Sequence, residues 1–231
     1  MLKNMEFSLA QCILVLSPPV LLITTFLIFR YTANTLGREK AYLYGFLFYW
    51  IVWCFLIPLL TVGLEGLQDM FSTPNPRFGK PMWLGIFLLV GPPLFMYLTR
   101  FPTGIKGATT IFIIYSIGYA VANGTFEEVL WRGTFIVAFK GHWFWAYLYP
   151  SFWFGLWHLS PQVVEAGTVN RETLGFAFIS IMLGLVWGWV ARTSGSIRWT
   201  IPAHILLNFA APAGGWFLRI ASAVGWRKLQ Q

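Results

Sequence analysis

The chain has 231 residues, of which 57% are hydrophobic, 19% aromatic and only 10% charged, against about 25% charged in a typical soluble domain. That balance excludes an ordinary soluble globule and points to a polytopic membrane protein. The net charge of +8 fits basic loops facing anionic lipid headgroups, and no basic, aromatic-interleaved stretch suggests a nucleic-acid surface.

A spanning helix needs about 20 mostly apolar residues. The first such run extends from about Ser8 to Phe29, with Pro18-Pro19 expected to kink it. Lys3 precedes it, and without a small-residue cleavage signature it reads as a retained helix. Arg30, Arg38 and Lys40 then read as a basic loop, and Ala41 to Leu64 as the second span. Glu65 to Lys80 is a polar connection whose Ser72-Thr73-Pro74-Asn75-Pro76 marks irregular surface chain. The third span is Met82 to Thr99, interrupted by Pro92-Pro93, and Arg100 to Lys106 is a short basic loop.

The fourth span begins near Thr109 and closes at Lys140-Gly141-His142. The fifth, Trp143 to Leu159, is strongly aromatic and carries Pro150; Trp143 and Trp145 read as interfacial belt residues, and His142 as interfacial too. Ser160 to Thr173 reads as a polar loop. The sixth span is Leu174 to Ala191, with Gly184 and Gly188 on one face, a close-packing pattern. A turn over Arg192 to Thr200 leads to the seventh, which starts at Ile201 with Pro202 in its first turn. After Pro212 and Gly214-Gly215, Trp216 to Trp226 is an eighth helix or an interfacial segment. The expected fold is therefore all-α, a membrane helix bundle of seven or eight spans forming one domain over residues 1–231. Loop charges favour an exterior N-terminus. Cys12 and Cys54 lie in apolar runs and read as packed thiols.

Only eight acidic residues occur in the chain, yet Glu127 and Glu128 stand side by side in the fourth apolar run. An ionisable group at bilayer depth costs roughly 2.5–3.5 kcal/mol on insertion scales, so such groups pair, line a wet cavity or do chemistry. Glu128 and Arg132 are four apart and share a helix face, whereas Glu127 is rotated about 100° from Glu128. An apolar setting disfavours a carboxylate's charge, which suits proton transfer. His158 ends Phe154-Gly155-Leu156-Trp157-His158 in the fifth run, and His204 and Asn208 share a face of the seventh. Each of these has a structural alternative: a buried Glu–Arg clasp, a histidine bonded to a carbonyl, a His/Asn pair gluing helices. Their joint occurrence in three spans favours a shared interior cavity.

These segments resemble a known family. Glu127-Glu128-Val129-Leu130-Trp131-Arg132 is similar to the EExxxR motif of the CAAX protease and bacteriocin-processing (CPBP, or Abi) family of intramembrane proteases. Phe154 to His158 is similar to its FxxxH motif, and His204 to Asn208 to its HxxxN motif. Gly184-Leu185-Val186-Trp187-Gly188 and Thr193-Ser194-Gly195-Ser196-Ile197 also resemble the family, so the likeness covers roughly Thr109 to Ala210, the expected catalytic core at about 109–210. The resemblance implies an endopeptidase in which Glu127 and His158 activate water, His204 and Asn208 stabilise the oxyanion, and Glu128 and Arg132 support them. Zinc on Glu127, His158 and His204 is the alternative, since two His and a Glu form a recognised ligand set; the metal-independent form is favoured. The implied partners are the bilayer and a membrane-anchored or lipidated peptide or protein, of prenylated CAAX, bacteriocin or pheromone type. The expected location is a prokaryotic plasma membrane. A non-catalytic immunity or scaffold protein keeping the same fold is the rival function. A proton-coupled transporter fits the polar residues, but not their motif spacings.

Overall fold

The computed structural model describes residues 7–106 and 108–210; the eighth segment expected at Trp216–Trp226 lies outside them. The described chain is helical, without a β-strand. Helices α1 (Leu9–Leu36) and α2 (Arg38–Phe48) come first. The latter continues through a π-helical stretch, Tyr49–Leu56, into α3 (Ile57–Asp69). After a connection come α4 (Met82–Thr99), the short α5 (Phe101–Gly104) and α6 (Thr110–Glu128), which runs through a π-helical turn, Val129–Thr134, into α7 (Phe135–Ala138). A third π-helical turn, Phe144–Leu148, leads into α8 (Tyr149–Trp157). Then follow α9 (Leu159–Ala166), α10 (Arg171–Ser194) and α11 (Thr200–Ala210).

Four of these are long and apolar enough to cross a membrane: Leu9–Leu36, Arg38–Asp69, Met82–Thr99 and Arg171–Ser194. They are apolar around their whole circumference, as expected of helices surrounded by hydrocarbon. Leu16, Ile23, Leu27, Phe87, Leu98 and Phe178 are exposed, while Leu14, Leu21, Phe29 and Trp187 are buried. The chain is thus an integral membrane protein built of helices. The other apolar runs are broken or short: α6 ends in charged residues, the fifth run is divided around α8, and α11 has 11 residues.

Three expectations are corrected. Arg30, Arg38 and Lys40 do not form a loop, because Arg30 lies within α1 and the other two begin α2; Gly37 alone (φ 87°) joins the helices. Glycine reaches that backbone region without the clash a Cβ would bring. Ser160 to Thr173 is not wholly loop either, since α9 occupies its first half. Its Pro161 sits in a first turn, where the missing N–H loses nothing, and Val163 and Val164 are buried. Cys54 is packed as expected, but Cys12 is exposed on α1.

Neither internal proline pair ends its helix. Pro18 and Pro19 cannot donate to the carbonyls of Leu14 and Val15, and in lipid such orphans must be satisfied internally. The Ser17 hydroxyl donates to Leu14 O (3.1 Å), and the Tyr149 hydroxyl donates to Val15 O. The first helix is thereby tied to the start of α8. Helix ends are capped by side chains: Ser8 and Gln11 close a capping box on α1, and Asn170 and Thr173 do so on α10.

The core around the site is aromatic. Tyr49 stacks on Trp157 with ring centroids 3.9 Å apart, and its hydroxyl accepts from Trp131 Nε1 at 2.7 Å. Gly184 and Gly188 do serve close packing: a Cβ at Gly184 would lie 2.8 Å from Ser151 O on α8. The connection before α4 is docked rather than loose. Met70 O accepts from Ile197 N (3.0 Å), Ser194 O accepts from Asn75 N (2.9 Å), and Arg77 lies over the Trp199 ring. This fixes the turn that launches α11.

Candidate active site

Glu127 and Glu128 end α6, both fully buried. The π-helical turn begins at the next residue, where the Thr134 hydroxyl donates to Val129 O (2.8 Å). Such turns inside α-helices often mark functional sites. Arg132 lies on this turn, 2% exposed, with Nη1 2.9 Å from Glu128 Oε1. The expected ion pair is present, although the guanidinium is not aligned for a hydrogen bond there. Its carbon sits 4.1 Å from the Phe154 ring centroid, a cation–π contact.

Helix α11 brings His204 onto this pair. Gly124 permits the approach, because a Cβ there would lie 2.9–3.3 Å from Ile205 Cγ1, N and Cα. His204 Nδ1 is 2.9 Å from Glu128 Oε1, and Nε2 is 3.3 Å from Glu127 Oε2. One imidazole thus bridges the two carboxylates. With Nδ1–H donating to the Arg132-paired Glu128, a proton on Nε2 falls between His204 and Glu127. The cluster then holds two carboxylates, one guanidinium and one shared proton, a neutral sum that burial demands. The Trp187 ring, 4.8 Å from that of His204, fixes the imidazole from the other side.

His158 comes from the break between α8 and α9. Pro150 lies in the first turn of α8, so this helix begins inside the fifth apolar run and ends at site depth. The His158 Nδ1 lies 2.7 Å from Phe154 O. A carbonyl can only accept, so Nδ1 carries the proton and a neutral ring keeps its lone pair on Nε2. The Phe154 ring packs edge-on against both imidazoles, with centroids 4.7 and 6.2 Å away.

A cavity of about 570 Å³ lies before these groups, and Glu127, His158, His204 and Asn208 all line it. Glu128 and Arg132 do not line it; they stand behind. Apart from the 3.3 Å contact with His204 Nε2, neither Glu127 oxygen has an aligned donor among the described residues, and Asn208 Nδ2 is likewise buried without an acceptor. Asn123 also lines the cavity, one turn before Glu127 on α6, its Oδ1 accepting from Trp50 Nε1 at 3.1 Å. That contact leaves its amide N–H groups to Glu127, on the cavity wall. Asn123 was not among the residues drawn from the sequence; an asparagine four residues before a buried glutamate in an apolar run was the available signal. His142, expected to be interfacial, is exposed and does not line the cavity.

A catalytic zinc needs three protein donors aimed at one point. Among the described residues no three His, Cys, Asp or Glu side chains are so grouped. His204 turns both nitrogens to carboxylates, and His158 gives Nδ1 to a carbonyl. As arranged, these donors do not fit a zinc ligand set.

The fold and this site define a membrane helix bundle whose largely apolar cavity gathers a few ionisable and amide side chains. Residues 109–210 match the family model described as type II CAAX prenyl endopeptidase Rce1-like. That match is consistent with the CAAX protease and bacteriocin-processing family that the motifs resemble, and it points to a protease. No curated protein and no solved structure matches the chain.

Proposed function

We propose that the chain is an intramembrane endopeptidase that hydrolyses a peptide bond in a membrane-associated substrate, a prenylated CAAX-type protein or a bacteriocin- or pheromone-type precursor. The observation that carries this reading is the convergence of Glu127, His158, His204 and Asn208, from three separate segments, on one cavity. Glu127 takes a proton from water as it attacks the scissile carbonyl, and His158 Nε2 orients that water and shares the proton. Asn208 Nδ2 donates to the developing oxyanion, and the proton on His204 Nε2 turns from Glu127 to the same oxygen. The proton taken from water passes to the leaving amine, which balances the step. Glu128 and Arg132 hold His204 in its tautomer and orientation from behind. The side chains carry this chemistry without a metal.

Three further parts belong to the proposal. The segments at α6–α7, α8 and α11 complete a seven-span, single-domain bundle with residues 109–210 as catalytic core. The membrane is a prokaryotic plasma membrane. The cavity's mostly aromatic and aliphatic wall suits a lipidated peptide.

The test uses the full chain in liposomes with an S-prenylated peptide ending in cysteine and three aliphatic residues, cleavage being read by mass spectrometry. Glu127→Ala and His158→Ala should each reduce the rate by 10²–10⁴, the range of a general base, while both variants still insert. Cleavage surviving in both would overturn the assignment. A scaffold protein would keep its cellular phenotype in both. Stoichiometric zinc, lost together with activity on chelation, would overturn the metal-independent form.

A further inference from the structure

The cavity has a cation on its wall that the chemistry above does not use. Arg100 is the single Lys or Arg among the residues lining it, and it stands outside the matched stretch 109–210. Its backbone is fixed at the end of α4: its N–H donates to Met96 O (2.9 Å), and its carbonyl accepts from the Thr103 hydroxyl (2.9 Å). Its side chain is exposed, and among the described residues no carboxylate pairs with it. Other arginines between helices are engaged: Arg77 covers Phe78 and Trp199, and Arg198 Nε donates to Phe71 O.

Its place relative to the reacting groups follows from the neighbouring residue. The Phe101 ring packs on Tyr97 and on Phe209, with centroids 4.8 and 5.6 Å away. The end of α4 therefore meets the end of α11, beside Asn208. His204 lies five residues before Phe209 on α11, about 7.5 Å along the axis at 1.5 Å per residue. An extended peptide advances about 3.3 Å per residue. A chain with its scissile carbonyl at the Glu127–His204 level thus comes abreast of Arg100 two to three residues further on. Every peptide carries one obligatory anion at its end, the α-carboxylate, and a guanidinium receives it through two parallel hydrogen bonds. Pro92, Phe95 and Met96 line the cavity beside it, and their low polarity strengthens such a bond.

We propose that Arg100 is a specificity residue that binds the substrate's C-terminal carboxylate. The inference rests on the peptidase reading. Its test compares the prenylated peptide as free acid and as C-terminal amide, on the full chain in liposomes. The wild-type chain should favour the acid by about ten- to a hundredfold in kcat/KM, the scale of a charged hydrogen bond. Arg100→Gln should bring that ratio to about one, and Arg100→Lys should restore part of it. Equal turnover of acid and amide by the wild-type chain would overturn the proposal alone. So would a ratio unchanged in Arg100→Gln, which would leave the guanidinium to lipid phosphates, or an equal fall on both probes. Absence of cleavage of either probe by the wild-type chain would overturn the peptidase reading and this inference with it.

Discussion

Arg132→Met isolates the energetics of the buried cluster. The substitution keeps the length of an apolar stem but removes the guanidinium 2.9 Å from Glu128, leaving that carboxylate to the His204 imidazole. Both partners are buried, at 2% and 0% exposure, so solvent offers the stranded carboxylate no compensation. Breaking such a pair costs about 3–5 kcal/mol, whereas replacing both members by apolar or neutral groups is often neutral. The loss of the contact with Phe154, 4.1 Å away, adds about 1–2 kcal/mol. At about 2–4 °C per kcal/mol for a chain of this size, the pair alone predicts a fall in Tm of about 6–20 °C. Thermal unfolding in detergent, followed by monodispersity or tryptophan fluorescence, reads it. The double variant Glu128→Gln with Arg132→Met should recover at least half of the fall. If it is no more stable than Arg132→Met, the two groups do not compensate each other's charge and the reasoning fails.

Asn208→Ala should lower kcat by about 10²–10³, the contribution of one oxyanion donor, with KM little changed; a defect confined to KM would remove it from that role. Gly155→Leu should destabilise the bundle by more than the roughly 1–3 kcal/mol of ordinary overpacking, because even a Cβ there would collide with Ile181 Cγ1 and lie 2.6 Å from Ala177 O; an unchanged Tm would refute the close α8–α10 contact. Asn123→Ala should slow cleavage at least threefold while Asn123→Gln recovers little, since the amide must reach both Trp50 and the cavity; full activity in Asn123→Ala would exclude a part in positioning.

Much of the bundle was legible because hydrocarbon imposes long apolar runs: Met82–Thr99 coincides with α4. The junctions were not. Charges at Arg30, Arg38 and Lys40 suggested a loop, but one glycine at positive φ folds α1 back on α2 without needing more chain. Ser160 to Thr173 read as a polar loop, whereas Pro161 fits the first turn of α9 and the valines after it supply the burial that keeps the helix. The site residues could be picked out because ionisable side chains are rare in such segments. Their partnerships could not, for nothing in the spacing of His204 says that its two nitrogens face Glu128 and Glu127. Those contacts depend on how close Gly124 lets α11 come, a tertiary matter. Cys12 was misread since a thiol tolerates hydrocarbon as readily as a packed interior.

The wide turn after Glu128 sets how this helix tolerates changes in length. A π-helical turn is an α-helix that has taken in a surplus residue. Deleting Val129 or Leu130 would let regular i→i−4 pairing resume, so the rod itself would heal. The helix beyond Thr134 would keep its phase, because the wide turn absorbs the surplus residue, but the residues left inside that turn would be re-phased by about a hundred degrees against the two glutamates, and Arg132 would aim elsewhere. Adding a residue would widen a turn already stretched. The segment is thus mechanically indifferent to shortening and chemically intolerant of it.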